Sequence, residues 1–304
     1  MGIDRQTIII GPGYLTYDGI SFLSSENITV DIPRTLFQVT SNGYGDIDSR
    51  TEDMQIAVNC TPLQWTNLDM FFPYANQQIG TSVYGGTDRP LSIIPRNGAN
   101  SGIVLANAAV TTMPTITLSA IKPALGQMTF TGLIANNADP NDPASYFTTG
   151  DVGTFPNYDL AKIPNEIYTG NWGTALQNFG AYEGFVIEPQ LNLEDVKPDD
   201  YGTVDKILTS LGCTVRVTPM NLTYAQILAA FTTSGIGKTL QKNDLIVQGK
   251  STGSPMFTLK NTLLESSGGV YGNNARRVGE VLFRNVRKGS AGVLEPLWTI
   301  GTVS

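Results

Sequence analysis

The sequence contains no histidine. That removes Ser-His-Asp and Cys-His nucleophile sites, and it removes the commonest nitrogen ligand for metals. Ser–Lys and paired-carboxylate chemistries need no histidine, but no motif marks either. Cysteine is nearly absent too. Cys60 and Cys213 cannot build a disulfide framework or a zinc site, and they fit a reducing compartment. No run of about 18 apolar residues occurs, so no transmembrane helix is expected. Residues 1–10 lack a basic stretch followed by a long apolar one, and no signal peptide is expected. Basic charge is short: 19 Lys and Arg stand against 26 Asp and Glu, a formal charge of −7. A surface of that sign repels phosphate backbones rather than gripping them.

What the chain has is turn and strand chemistry. Its 304 residues include 32 Gly and 17 Pro, set among alternating runs of Val, Ile and Thr. That pattern reads as many short strands joined by turns. The length suits two domains, each large enough to bury a core.

An internal repeat divides it. Tyr44-Gly45-Asp46-Ile47-Asp48 returns 157 residues later as Tyr201-Gly202-Thr203-Val204-Asp205. Thr61-Pro62-Leu63 returns at the same spacing as Thr218-Pro219-Met220. So do Gly13 with Gly170, Phe22 with Phe179, Val30 with Ile187, Leu36 with Leu193 and Val39 with Val196. The spacing then falls to 154 at Asn107 and Asn261, and to 153 at Phe130 and Phe283, as small loop deletions would produce. A repeat of this kind makes each copy one structural unit. The boundaries implied are 1–133 for the first unit, 134–169 for a linker or arm, 170–289 for the second unit and 290–304 for a tail. The linker is rich in Asn, Asp, Pro and Gly, yet it carries Tyr146, Phe147, Phe155 and Tyr158. It either packs on its own unit or docks on a neighbouring subunit. The tail, with Trp298, poses the same choice.

Within a copy, Ile28, Val30 and Ile32 alternate, as do Ile56, Val58 and Cys60, matched by Cys213, Val215 and Val217. Both cysteines therefore read as small core residues. Thr61, Pro62 and Gln64 predict a capped helix whose face carries Leu68, Phe71 and Phe72. In the second copy Thr218 and Pro219 predict its equivalent, with Ala225, Leu228 and Ala229 as the stripe. Further strands are expected near 91–95, 103–110, 115–120 and 127–134. The Gly- and Asn-rich stretch 264–278, opposite a good strand in the first copy, reads as a loop. The fold class is mainly β: two tandem barrel or sandwich domains, each with one flanking α-helix.

Gly235-Ile236-Gly237-Lys238-Thr239 has the look of a phosphate loop, but Thr232 stands where its first glycine belongs and the segment follows a helix. A helix-ending glycine turn is the plain reading. Three glycosylation sequons, at Asn27, Asn59 and Asn221, carry no meaning without secretion. Acidic residues gather at Asp46, Asp48, Glu52 and Asp53, and again at Glu194, Asp195, Asp199, Asp200 and Asp205. They form either solvated loops or the negative lining of a channel; calcium is a third reading, without the spacing of an EF-hand.

The first copy resembles the major tail tube proteins of long-tailed phages. The likeness rests on Gly13-Tyr14-Leu15, Ile28-Thr29-Val30, Tyr44 to Asp48, and Thr61-Pro62 through Phe71-Phe72-Pro73-Tyr74. It continues in Asn107-Ala108-Ala109-Val110 and Phe130-Thr131-Gly132-Leu133, and it extends more weakly to the second copy. The resemblance implies a β-barrel flanked by a helix, six-fold rings joined sheet to sheet, and stacking into a hollow tube that conducts double-stranded DNA. Most members carry one barrel per chain; with two, three chains complete a ring. It further implies a virion tail assembled in the bacterial cytoplasm. Its partners would be self, tape-measure, terminator and tail-tip proteins, with no enzyme activity, no cofactor, no metal and no membrane. On that reading Asp46, Asp48, Glu52, Asp53, Asp199, Asp200 and Asp205 lie on a lumen-facing or ring-stacking loop, where an acidic wall would let DNA slide. Other readings are a tube protein of a contractile injection apparatus, a capsid decoration or fibre protein, and a carbohydrate-binding module or glycosidase. The scattered Trp65, Trp172 and Trp298 give the last no aromatic platform.

Overall fold

The computed structural model describes residues 13–84, 87–95, 102–134, 138–139, 142–150, 162–198, 202–231, 239–272, 275–287, 289–290 and 293–304. The first half supplies β1 (Gly13–Tyr17), β2 (Ile20–Leu23), β3 (Thr29–Asp31), β4 (Arg34–Ser41), β5 (Gly45–Met54) and β6 (Ile56–Cys60). Then come β7 (Arg89–Pro95), β8 (Gly102–Thr112), β9 (Ile116–Leu118), β10 (Ala124–Leu125), β11 (Met128–Leu133) and β12 (Thr148–Gly150). The second half supplies β13 (Thr169–Trp172), β14 (Leu176–Phe179), β15 (Ala181–Val196), β16 (Asp205–Pro219) and α1 (Tyr224–Phe231). It ends with β17 (Asn243–Gln248), β18 (Pro255–Gly272), β19 (Ala275–Asn285), the small ribbon of β20 (Gly289–Ser290) and β21 (Val293–Leu294), and β22 (Trp298–Thr302). The protein is mainly β, as its composition implies.

The two halves repeat one strand order. The first sheet runs β2-β1-β7-β8-β11-β6-β3, and the second runs β14-β13-β17-β18-β19-β16-β15, with β12 on β8 answered by β22 on β18. Register repeats as well. Val30, Val58, Phe130 and Val110 lie side by side across the first sheet. Their counterparts at the sequence spacing, Ile187, Val215, Phe283 and Leu264, lie side by side across the second. Phe22 and Phe130 pack with ring centroids 6.2 Å apart, and so do Phe179 and Phe283. A slip of one residue would turn each row to the other face, so two matching registers reflect one apolar pattern read twice. One buried cluster runs through both halves, with both cysteines in it. Burial raises both thiols, that of Cys60 to about 12. In both sheets the strand path runs from edge to edge, so the pairing among the described residues makes open sheets rather than closed barrels.

Three expectations need correction. The helix after Thr61 is only a short 3-10 turn, Leu68–Phe71. The chain there is claimed by β2 instead: Ser25 N–H donates to Thr61 O at 2.8 Å, and Leu63 N–H to Leu23 O at 2.9 Å. Gln64 bonds Thr66, and Asn67 sits in the left-handed region, so no capping box forms. Leu68, Phe71 and Phe72 are buried all the same.

The second helix does form, but its cap is Thr223, whose backbone N–H meets Gln226 Oε1 while Gln226 N–H meets Thr223 Oγ1. Pro219 closes β16 instead. Starting five residues later than Thr218 rotates the buried stripe to Ile227 and Ala230 and leaves Ala225, Leu228 and Ala229 outside.

Finally, 264–278 is no loop. It lies in the long hairpin of β18 and β19, with 273–274 outside the described residues. Its glycines serve close approach: a Cβ on Gly279 would sit 2.9 Å from the Gly268 carbonyl carbon.

Segment 134–169 contributes β12 to the first sheet and buries Tyr146. Phe155 and Tyr158 lie outside the described residues. The tail contributes β22 to the second sheet and also reaches the first half, where Trp298 meets Phe72 edge-on at 6.3 Å.

Phe130→Ala and Phe283→Ala are each expected to cost about 3–5 kcal/mol, because each ring fills the same place in its sheet. Urea unfolding measures this; a loss below about 1 kcal/mol at either would contradict the shared packing.

Candidate functional site

The feature with the most evident consequence is the junction between the halves. After β8 the chain leaves its own sheet. The short strand β9 pairs antiparallel with the outer edge of β15, Ile116 opposite Ile187, Thr117 opposite Val186 and Leu118 opposite Phe185, and β10 pairs with β9. The second sheet thereby grows to ten strands. Alternation places Ile116 and Leu118 in the core with Phe185 and Ile187, all four essentially buried. Gly184 makes the approach possible. Its φ is +110°, and a Cβ there would lie 2.6 Å from Leu118 O.

A second contact comes from the outer half of the β15–β16 hairpin, which leans on the first half. Ser82 bridges Ile207; Gly80 N–H donates to Leu208 O and Val83 N–H to Lys206 O, each at 2.8 Å. Leu208 is 1% exposed, and Leu191, Leu193, Val204 and Leu211 pack partly buried against the core.

A polar clamp locks this contact. Asp53, 8% exposed, accepts Lys197 Nζ at 2.7 Å, and the Thr203 N–H and hydroxyl at 2.9 Å each. Gln55 Nε2 donates to Asp195 and to Thr203 Oγ1, both at 3.1 Å, and Lys206 pairs with Asp195. Burial alone would push both carboxyls up. Lys197 and Thr203 around Asp53, and Lys206, Gln55 and Lys197 around Asp195, outweigh it and hold both below the ordinary carboxylate range. Lys197 is raised in turn, chiefly by its hydrogen bond to Asp53.

The acidic residues grouped by sequence thus separate. Asp53 and Asp205 belong to the junction; Asp205 Oδ1 accepts Tyr84 N–H at 3.0 Å. Asp46, Asp48 and Glu52 stand on the exposed β4–β5 hairpin, where Asp48 pairs loosely with Arg50. Asp199 and Asp200 lie outside the described residues, as does nearly all of the glycine-lysine segment 235–239. Sequence reasoning missed β9 as a donated strand, and Gln55, Lys197 and Lys206. Alternation predicted the strand at 116–118 but carries no information on which sheet it joins. Among the described residues no group of three or more His, Cys, Asp or Glu could hold a metal ion, and no helix is long and apolar enough to cross a membrane.

No protein-family model matches the chain, and none of the curated proteins matches it.

Both carboxyls of the clamp have lowered folded-state pKa values. Their contribution is therefore present above the unfolded Asp value of about 3.9 and is lost as pH falls through the lowered one. Asp53→Asn keeps the shape but cannot answer Lys197 with charge. It is expected to cost about 1–3 kcal/mol at neutral pH and to flatten the loss of stability below about pH 4. Urea titrations across that range check both; an unchanged acid slope would contradict the clamp.

Proposed function

We propose that the chain is a structural subunit of a phage tail tube. Each half acts as one tail-tube-like β-barrel or sandwich unit, three chains make a pseudo-hexameric ring, and rings stack into a hollow conduit for double-stranded DNA. The observation that carries this reading is the lateral junction: two repeats of one fold joined edge to edge by a donated strand. A contact that joins unit to next unit in one direction is heterologous, and such contacts close into rings when the rotation allows. Six units at two per chain require three chains. The resemblance of Gly13–Leu133 to tail tube proteins supplies the kind of assembly, and the charge of −7 suits a wall that DNA slides past. The barrel itself belongs to this proposal, with closure completed by neighbouring chains. Asp46, Asp48 and Glu52, exposed on the β4–β5 hairpin, are acidic residues that would face a lumen or a stacked ring. Tape-measure, terminator and tail-tip proteins would be the partners at the ends, and assembly would take place in the host cytoplasm.

Negative-stain electron microscopy of concentrated protein, with native mass of any ring, tests the proposal. Hollow rings of three chains with six lobes are expected. Rings of six chains would sink the pairing of two units per chain, and compact monomers at every concentration would contradict the tube.

A further inference from the structure

The junction inside the chain has two sides, and the repeat supplies each side again where it has no partner. The receiving side of the second half is the β15 edge and the outer β15–β16 hairpin. Its counterparts in the first half are the edge strand β3 and the β4–β5 hairpin. Among the described residues, β3 pairs only with β6, so its other edge is open. At the matching positions Phe185 and Ile187 are fully buried beneath β9, whereas Ile28 and Val30 are only partly buried. The hairpin shows the same contrast. Leu193 and Val204 pack against the core; their counterparts Leu36 and Ile47 are 57% and 58% exposed, beside exposed Phe37 and Tyr44. Open edges and clustered exposed apolar side chains are what soluble chains avoid unless something covers them.

The giving side is duplicated as well. β9 lies between β8 and β11, so its counterpart lies between the matching parts of β18 and β19. There the hairpin overhangs its sheet. Residues 266–272 pair with 275–282, while β17 reaches β18 only as far as Thr262 and β16 reaches β19 only at Val281–Arg284. Among the described residues, 266–272 and 275–280 pair with each other and with no further strand, so the overhang offers open strand backbone.

We infer that the occupant is a second copy of this chain. The β18–β19 overhang of one chain pairs with the β3 edge of the next, as β9 pairs with β15, and the β4–β5 hairpin covers Leu36 and Ile47 against the neighbour's second half. This deepens the tube reading and rests on it for the closure into a ring, though not for the contact itself. The ionic clamp does not recur: Asp53 and Lys197 have Ser210 and Thr40 as counterparts. The contact between chains thus rests on strand pairing and apolar cover without the clamp's ion pair, weaker than the contact within a chain and suited to subunits that are soluble before they assemble.

A head-to-tail contact makes a sharp test. One variant blocks the receiving side: Leu36→Asp with Ile47→Asp, both on exposed positions that leave the fold intact. A second blocks the giving side by replacing 270–277 with an Asn-Gly turn. Circular dichroism and Tm confirm folding, and Thr29→Pro serves as a second receiving-side block should the double variant fold poorly. Analytical ultracentrifugation is expected to show wild-type assembly, each blocked variant alone monomeric, and an equal mixture of the two forming two-chain species and nothing larger. Variants that assemble like wild type would overturn the contact and leave the tube reading standing. Variants that are monomeric both alone and mixed would also overturn it, since each still carries one good side. Wild-type protein that stays monomeric would overturn both.

Discussion

Backbone pairing between β9 and β15 is the constraint on which the arrangement of the two halves depends. A strand edge at β15 would leave Phe185 and Ile187 partly open to water, along with unpaired N–H and C=O groups. The first half covers it by sending out three residues, Ile116–Leu118, between two strands of its own sheet. Beyond that strand, the β15–β16 hairpin leans onto the 80–84 segment. There Asp53, Gln55 and Thr203 close the contact with hydrogen bonds: the strand sets register, and the clamp sets the lean. Gly184 and Gly202, both at positive φ, allow the backbones to come this near; a Cβ on Gly202 would lie 2.9 Å from Asp53 Oδ1.

The two contacts differ in how they respond to solution conditions. Apolar strand addition gains from area removed from water and is indifferent to pH. The clamp depends on two carboxylates kept ionised by lysines and a threonine, so it weakens in acid. If neighbours meet through the proposed contact, which lacks the Asp53–Lys197 pair, the chain would hold its own halves more tightly than it holds its neighbours.

Much of the fold was legible because it is written in alternation. Val58 with Val215, Val30 with Ile187 and Phe130 with Phe283 matched in sequence, and they occupy matching places in the two sheets. What was illegible was tertiary. The Thr61-Pro62-Gln64 signature is a sound helix start, but β2 takes the backbone first. Thr223 and Gln226 form a capping box five residues beyond the Thr218-Pro219 signature, which belongs to the end of β16. The Gly- and Asn-rich stretch 264–278 reads as loop, yet Gly268, close against Gly279 across the pair, permits a tight hairpin. The acidic residues were grouped by sign alone. Only their surroundings separate Asp53, buried against Lys197, from Asp48, exposed on its hairpin. Nor can periodicity say that 116–118 joins the other half's sheet, since the pattern of a strand is the same whichever edge it meets.

The central claim is that one edge-pairing contact serves twice, once within a chain and once between chains. Backbone hydrogen exchange read by mass spectrometry tests it directly, on dilute monomer and on assembled protein. The account predicts that 185–187 and 116–118 are protected in both states, while 29–31, paired only with β6 in the monomer, gains protection on assembly at the amides of its open edge. Protection at 29–31 that does not change on assembly would contradict it, as would free exchange at 185–187 in the monomer.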